Sequence, residues 1–344
     1  MVNFKKILYC VVFVSFFVIL YFVFYMRNNQ HNYPIDLVYT WVNGNDKNWL
    51  EKKQYWQKQL NVTDYYAVGK ERFRDREELK HSLRSVELYM PWIRNIYIVT
   101  DNQIPEWLNI NHPKIKIVDH TDILPKDALP VFNSMAIETG LVNIKGLAEH
   151  FIYFNDDVFV NTFLTPDFFF DKDGKPIIYE DFELKNEGFE EIRKNNQETW
   201  VKSWKKMIDI VSEKYGTEPF IIVGTHTASV FNKTDLKYAI NEFKDGFKKT
   251  TYSKFRNAQD YNIGIADMVN YIRNRVVIQD SKKVDAKFGC DIAGIYVMSD
   301  LYRLDKQKTC LFCLNDAKFR NDNTALEHTK YLRNRFPNKS SFEK

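Results

Sequence analysis

Apolar and polar positions in the first half of the chain predict strands and helices in turn. Short apolar runs flanked by turn residues indicate strands, and apolar residues at helical spacing indicate helices. The predicted strands lie at residues 35–42, 96–100, 115–119 and 151–154. One helix is predicted from a cap at Asn45 or Asp46 to about Leu60. A second follows Asp75 and Glu78, which resemble a capping box, and ends at Met90. A third is predicted at 133–140.

The second half of the chain has a less regular pattern. A long charged stretch at 187–215 and shorter stretches at 259–271 and 324–335 are typical of helices. Residues 220–223 (FIIV) predict a further strand, which leads into Gly224, Thr225 and His226.

The order of these elements predicts an α/β fold. Strands that are apolar throughout are typical of a largely parallel, Rossmann-like sheet with helices on both faces. Ligands bind such sheets at the carboxyl ends of the strands. The polar residues that follow the predicted strands, at 43–46, 101 and 155–157, are therefore the first candidates for a site.

Residues 7–26 form a separate, uncharged apolar segment. A helix of this length spans about 30 Å, so the segment predicts an N-terminal transmembrane helix, and a cleaved signal peptide is the alternative. The resulting domain division is a cytosolic tip at 1–6, an anchor at 7–26, a stem at 27–34 and a catalytic domain at 35–344. The resemblance described below implies a division of that domain into a nucleotide-sugar-binding half at 35–160 and an acceptor- and phosphate-binding half at 161–344.

Composition removes several classes of protein. The net charge of +4 over 344 residues, without a basic stripe, argues against nucleic acid as a partner. A hydrophobic fraction of 44% excludes a wholly disordered chain. Four cysteines are too few for a disulfide scaffold, and Cys310 with Cys313 is open to either a structural disulfide or two buried thiols.

Asn155, Asp156 and Asp157 directly follow an apolar strand. Adjacent carboxylates repel each other unless a cation or hydrogen-bond donors neutralise them. Hard oxygen ligands suit Mg²⁺ or Mn²⁺, which in turn bridge a diphosphate, and this is the logic of the acidic motif in GT-A nucleotide-sugar enzymes. A turn in which the carboxylates cap backbone N–H groups explains the motif equally well, so both readings stay open.

Trp41, Asn43 and Gly44 follow the first predicted strand. The tryptophan offers a stacking surface for a base or a sugar, and the glycine lets the backbone approach a ligand. A tight turn next to a core tryptophan is the alternative. The motifs of dinucleotide-binding and P-loop proteins are absent from this segment.

Several charged residues are candidates for phosphate chemistry. Arg84 belongs to an arginine-rich cluster around Asp75, and arginine binds phosphate or carboxylate bidentately, although surface ion pairing is the alternative. His226 suits a general base, a phosphate ligand or a merely structural hydrogen bond. Arg256 has the charge to neutralise a phosphate.

Taken together, these segments resemble the Stealth family of sugar-1-phosphate transferases in order and over nearly the full length. The first block is 35–46 (IDLVYTWVNGND), and the second runs from Arg72 through 98–101 (IVTD) and 132–134 (FNS) to 154–157 (FNDD). A third block resembles His226 through Arg256, with Ala228 where the family often has proline. The fourth starts at 313–316 (CLND).

The resemblance implies a GT-A-like fold and one reaction. An acceptor hydroxyl attacks the β-phosphorus of a UDP-sugar, UMP leaves and a phosphodiester forms. Implied roles are nucleotide binding for Trp41, Asn43 and Gly44, and binding of Mg²⁺ or Mn²⁺ for Asp156 and Asp157. His226 and Arg256 would contact the transferred phosphate, with Asp157 or His226 as the base. Further substrate-binding residues would be Asp75, Arg84, Asn133 and Ser134.

Two rival functions and one question of location stay open at this point. A GT-A glycosyltransferase would transfer the sugar itself and release UDP, and a non-catalytic membrane-anchored glycan-binding module would bind sugar without turnover. The expected partners are a UDP-sugar donor, a glycan acceptor and a membrane, and a homodimer is left open. We expect a single-pass type II membrane protein with its catalytic domain in the Golgi lumen, or, in a bacterium, an inner-membrane enzyme with a cytoplasmic domain.

Overall fold

The computed structural model describes residues 33–180, 199–222, 224–281, 288–289, 301–302, 304, 306, 309–314 and 322–344. The strands are β1 (Ile35–Thr40), β2 (Ile96–Thr100), β3 (Ile115–Asp119), β4 (His150–Asn155), β5 (Val158–Val160), β6 (Ile177–Glu180), β7 (Ala228–Asn232), β8 (Val277–Asp280), β9 (Phe288–Gly289) and β10 (Leu311–Cys313). The helices are α1 (Lys47–Gln59), α2 (Tyr65–Val68), α3 (Glu78–Tyr89), α4 (His120–Ile123), α5 (Ser134–Glu138), α6 (Thr199–Tyr215), α7 (Lys233–Glu242), α8 (Lys244–Thr251), α9 (Ile265–Ile272) and α10 (Asp322–Arg335).

A five-stranded sheet with the order β3-β2-β1-β4-β7 forms the centre of the fold. β1 pairs in parallel with β2 and β4, and β2 pairs in parallel with β3. The edge strand β7 runs antiparallel to β4. The predicted largely parallel α/β sheet is therefore present, and residues 35–344 form one compact unit around it.

Helices cover both faces of this sheet. On one face, Val38 of β1 lies in a large apolar cluster with residues of α6, α7, α8 and α9, among them Met207 and Leu236. On the other face, the hydroxyl of Tyr39 hydrogen-bonds Ser82 of α3 at 2.7 Å. Because successive strand residues point to opposite faces, β1, whose first five residues are buried, packs against both helical layers.

The apolar run at 220–222 is buried but is not a strand, contrary to the pattern-based prediction. Ile221 and Ile222 pack into the large cluster from an irregular segment. The sheet edge is instead the more polar β7, whose backbone pairs with β4. Burial and strand pairing are thus satisfied by two different segments.

The predicted N-terminal transmembrane helix is not supported, and the fold class is corrected accordingly. In the part of the chain that the structure describes, no helix is long and apolar enough to cross a membrane. The longest of the helices named above, α6, has 17 residues and carries charges along its length, as expected for a helix with one face in a core. The predicted anchor at 7–26 itself lies outside the described residues. Its prediction rested on hydropathy, and an apolar sequence does not by itself establish a helix.

Candidate functional site

A cavity of about 930 Å³ opens at the carboxyl ends of the central strands. Thr40 at the end of β1, Asn155 at the end of β4 and Asp101 directly after β2 line it. β1 lies between β2 and β4. The strand order therefore reverses at β1, because β2 and β3 follow on one side of it and β4 and β7 on the other. A crevice at such a point is where ligands bind open α/β sheets.

The wall of the cavity that follows β4 is acidic. Asp156 and Asp157 lie there together with Glu78, the first residue of α3. Burial and then the charge of Asp157 raise the pKa of Asp156 well above its ordinary value. The pKa of Glu78 is raised to about 7, mainly by burial and also by the charge of Asp75. The backbone N–H of Arg76 donates to the Glu78 carboxylate and acts in the opposite direction. We call Glu78, Asp156 and Asp157 the acidic wall, and Asp75 lies close enough for its charge to act on Glu78 and Asp156.

Arg256 places a positive charge in the same cavity. Its Nη2 donates to Ser134 Oγ at 2.5 Å, which uses one of the five guanidinium N–H donors. Glu138, one turn after Ser134 on α5, accepts a hydrogen bond from the Tyr153 hydroxyl at 3.3 Å. Burial raises the pKa of Glu138, and the charge of Arg256 lowers it. Within the described residues, the other guanidinium N–H groups have no hydrogen-bond partner and can therefore bind a ligand.

The loop that carries Arg256 is held by buried polar contacts. Asp260 is 2% exposed and accepts hydrogen bonds from the backbone N–H and the side-chain amide of Asn257, both at 2.9 Å. Asn133, the N-cap of α5, donates from Nδ2 to the Asp260 carboxylate at 2.8 Å and to the Ser253 carbonyl at 3.2 Å. These bonds join the loop to the start of α5 and so fix the guanidinium relative to that helix.

Of the motif after β1, Trp41 lines the cavity, while Asn43 and Gly44 make contacts with other loops. Asn43 exchanges two backbone-to-amide hydrogen bonds with Gln103, at 3.0 and 3.1 Å. The N–H of Gly44 donates to the Phe73 carbonyl at 2.7 Å, and a Cβ at Gly44 would lie 2.2 Å from that oxygen. Glycine is needed here because another segment of backbone approaches so closely.

The structure places Asp75, Arg84 and His226 in different surroundings. Two guanidinium nitrogens of Arg84 donate to Glu343 at 2.8 and 2.7 Å, so this arginine joins α3 to the end of the chain. Asp75 accepts from the Glu77 N–H at 2.9 Å, and burial raises its pKa. His226 is exposed on the wall of the cavity.

Of the residues predicted from the sequence, those that line the cavity are Trp41, Ser134, Asp156, Asp157, His226 and Arg256. Four further carboxylic acids in the lining were missed, namely Glu71, Glu78, Glu138 and Asp267. The spacing of four between Ser134 and Glu138 puts both on one helical face and could have revealed Glu138. Burial raises the pKa of Asp267 to about 8, and no sequence pattern marked that residue.

This arrangement combines two kinds of chemistry in one cavity. The acidic wall can bind a hard cation or accept a proton. The guanidinium on a separate loop can donate charge-assisted hydrogen bonds to a phosphate. Together they suit a substrate that carries phosphate groups.

Two family models match this chain. "Stealth protein CR1, conserved region 1" matches residues 33–60, and "Stealth protein CR2, conserved region 2" matches residues 72–178. These regions contain Trp41, the acidic wall, Ser134 and Glu138, and they end before His226 and Arg256.

Full-length similarity points to the same kind of protein. Exopolysaccharide phosphotransferase cps2G of Lactiplantibacillus plantarum is 32% identical over 342 residues, which cover 91% of this chain and 97% of that protein. Capsular polysaccharide phosphotransferase WcwK of Streptococcus pneumoniae is 32% identical over 90% of this chain and 99% of its own length. Capsular polysaccharide phosphotransferase fcs1 of Haemophilus influenzae is 39% identical over 67% of this chain and 63% of its length.

A solved structure of galactosyltransferase LgtC in complex with donor and acceptor sugar analogs aligns with a TM-score of 0.45 at 13% identity. The alignment covers 89% of this chain and 96% of that one.

The relatives named above come from bacteria, and their names connect them with capsular polysaccharides and exopolysaccharides. The expected location in the Golgi as a single-pass membrane protein is therefore wrong on two counts, the bacterial relatives and the absence of a membrane-spanning helix from the described residues.

Proposed function

The chain belongs to the Stealth family and is a phosphotransferase that moves a sugar phosphate. On that premise, we propose that it transfers a sugar-1-phosphate from a UDP-sugar to a hydroxyl group of a glycan. The proposed donor is UDP-GlcNAc. The observation that supports the proposal is that the acidic wall and Arg256 line the same cavity. Phosphoryl-type transfer needs positioning and charge neutralisation more than it needs a covalent intermediate, and this cavity offers both.

In the proposed reaction, the oxygen of the acceptor hydroxyl forms a bond to the β-phosphorus of the donor. The bond between the β-phosphorus and the oxygen that bridges it to the α-phosphorus breaks, and that oxygen leaves with UMP. The hydroxyl proton passes to Asp157 or His226, both of which line the cavity. The product is a phosphodiester between the donor sugar and the acceptor.

Arg256 is proposed to bind the transferred phosphate. One of its nitrogens is held by Ser134, so the guanidinium plane is oriented before the substrate arrives. Glu138 favours the charged form of the arginine, because burial lowers the pKa of Arg256 and the charge of Glu138 raises it. An oriented charge needs little reorganisation when negative charge develops on the phosphoryl oxygens.

Asp156 and Asp157 are proposed to hold Mg²⁺ or Mn²⁺. Among the described residues, no group of three or more His, Cys, Asp and Glu side chains is arranged to hold a metal ion without other ligands. Mg²⁺ commonly takes one or two carboxylates and completes its shell with substrate phosphates and water, so this acidic pair fits it. The bound ion would offset the charge of the diphosphate, and it would also relieve the repulsion that raises the pKa of Asp156.

The nucleotide product tests the proposal. The purified protein is incubated with a panel of nucleotide sugars and glycan acceptors, with Mg²⁺ or with EDTA, and the nucleotides are separated by chromatography. We expect UMP from UDP-GlcNAc in the presence of Mg²⁺ and no turnover with EDTA. Release of UDP would instead identify a transferase of the sugar alone.

The Asp157→Asn variant tests the role of the acidic pair. We expect a loss of at least about 100-fold in turnover, whether Asp157 binds the ion or takes the proton. Asp173→Asn is the matched control, because Asp173 is an exposed partner of Lys172. Near-normal turnover by a correctly folded Asp157→Asn protein would contradict the role of this residue.

A further inference from the structure

Polar side chains at the ends of β2 and β3 form a second group in the cavity, away from the acidic wall. Asp101 follows β2, and His120 follows β3 as the first residue of α4; both line the cavity. Lys52 of α1 pairs with Asp101 at 2.5 Å and offsets its charge. This group takes no part in the chemistry proposed above.

His120 differs from its neighbour Asp119 in how its polar atoms are satisfied. The Asp119 carboxylate accepts hydrogen bonds from the N–H groups of Asn102 at 2.6 Å and Thr121 at 2.9 Å, so it serves the turn itself. His120 is 5% exposed, and its Nδ1 is buried without a hydrogen-bond partner in the described part of the chain. A buried polar atom in this state costs free energy that a ligand with a matching group can recover.

We propose that His120 and Asp101 bind the nucleobase of the donor and select uracil over cytosine. The proposal rests on the nucleotide-sugar function argued above and extends it to the residues that read the base.

The hydrogen-bonding capacity of the pair matches uracil. An ionised carboxylate only accepts hydrogen bonds, and a neutral imidazole donates from one nitrogen and accepts at the other. The pKa of His120 is lowered, mainly by burial and also by the charge of Lys52. The charges of Asp101 and Asp119 act in the opposite direction. Uracil offers N3–H to the carboxylate and O4 to the imidazole N–H. Cytosine offers an acceptor at N3, which opposes the carboxylate, and a donor at its amino group, which opposes the imidazole N–H in the tautomer that binds uracil.

The position of the pair also fits the length of a nucleotide sugar. β3 lies three strand spacings from β4, because β2 and β1 lie between them. At ~4.8 Å per spacing, the end of β3 is about 14 Å from the end of β4, where the acidic wall begins. A donor with its phosphates at the acidic wall and its base at His120 would lie across the ends of β1 and β2, past Trp41 and Val99, which line the cavity.

Equilibrium binding of UMP and CMP to the full chain, measured by isothermal titration calorimetry, tests the proposal without any turnover. We expect UMP to bind at least about tenfold more tightly than CMP. His120→Phe keeps a ring of similar size and should weaken UMP binding about tenfold with little effect on CMP, while His120→Asn should recover part of the loss. Asp101→Asn supplies an N–H donor for cytosine N3 and should bring the UMP to CMP ratio close to one. His112→Phe, a histidine outside the cavity that lies against Phe342, is the matched control.

Thermal unfolding monitored by circular dichroism identifies variants that fail to fold, and Asp101→Asn then carries the test if His120→Phe does not fold. Equal affinities of wild-type protein for UMP and CMP would overturn the proposal, as would an unchanged ratio in folded His120→Phe and Asp101→Asn. Equal affinities together with UMP release from UDP-GlcNAc would overturn the base subsite and leave the transfer reaction standing. Base discrimination that depends on His120 without any UMP release would support the subsite and contradict the reaction.

Discussion

Replacing Arg256 with methionine removes the proposed phosphate ligand while keeping a side chain of similar length. Ser134 accepts from one guanidinium N–H, and within the described part of the chain the others have no hydrogen-bond partner. If two of them bind the transferred phosphate, and a hydrogen bond to a charged group contributes about 1.5–3 kcal/mol, the variant loses about 3–6 kcal/mol. This predicts a fall in kcat/KM of about 10²- to 10⁴-fold.

Glu138 provides the internal check on that interpretation. In Arg256→Met its carboxylate stays buried in a cavity that must take up a negatively charged donor, so part of the loss is repulsion. Glu138→Gln removes that charge without a large change in shape. We expect the Arg256→Met/Glu138→Gln double variant to be about tenfold more active than Arg256→Met, and a double-mutant cycle gives the coupling between the two residues.

The assay is the initial rate of UMP formation from UDP-GlcNAc at varied donor concentration, with thermal unfolding of each variant recorded alongside. Arg273→Met is the control, since Arg273 pairs with Asp235 at 3.0 Å outside the cavity and should affect stability alone. A folded Arg256→Met protein with kcat/KM within threefold of wild type would refute the role of Arg256. An equally low activity of the double variant would refute the role assigned to Glu138.

Three further perturbations test how the site is held and charged. Asp260→Asn disturbs the bonds that fix the arginine loop, so we expect kcat to fall about tenfold with a smaller change in the KM for the donor, measured by steady-state kinetics; an effect on stability alone would contradict a positioning role. Because the pKa of Glu78 is raised in the folded protein, its ionisation opposes folding above the pKa of the unfolded state; Glu78→Gln should raise the free energy of unfolding by about 1–2 kcal/mol at pH 8 and by almost nothing at pH 4, and urea unfolding showing the larger gain at pH 4 would contradict this. Gly44→Ala meets the Phe73 carbonyl and should cost about 1–3 kcal/mol and lower activity, whereas Gly216→Ala, strained by its φ of 64° with no neighbour within 4 Å, should lower the melting temperature without lowering kcat.

The sequence was sufficient where the signal is local. β2 and β3 have the predicted bounds, and Asp46 caps α1 by accepting the Trp49 N–H at 2.7 Å, as the pattern at Asn45 and Asp46 indicated. The rule that ligands bind at the carboxyl ends of parallel strands placed Asp156 and Asp157 in the cavity, because it needs only the order of strands and the residues that follow them.

Contacts between distant segments could not be read from the sequence. Asp260 lies within a predicted helix at 259–271, but it anchors a loop through Asn133, and the helix begins only at Ile265. Arg84 was a candidate for substrate binding, yet its partner is Glu343, 259 positions away. Glu78 fitted a capping box with Asp75, but its carboxylate instead accepts from the Arg76 N–H and forms part of the acidic wall. In each case the deciding interaction depends on how the chain folds back on itself.

The separation of charges in the cavity explains why an acidic wall and an arginine can serve one substrate. The charges that act on Arg256 are those of Glu138 and Asp260, and the charges that act on Asp156 are those of the other acidic residues. Had the arginine paired with Asp156, each would have neutralised the other and neither would be available to a ligand. Since the arginine is held by separate partners, the proposed diphosphate would bind it directly, and a cation held by Asp156 and Asp157 would offset the repulsion between that diphosphate and the acidic wall. The pKa of Asp156 is raised by burial and by the charges of its acidic neighbours, and a cation bound at the acidic wall would reverse this effect.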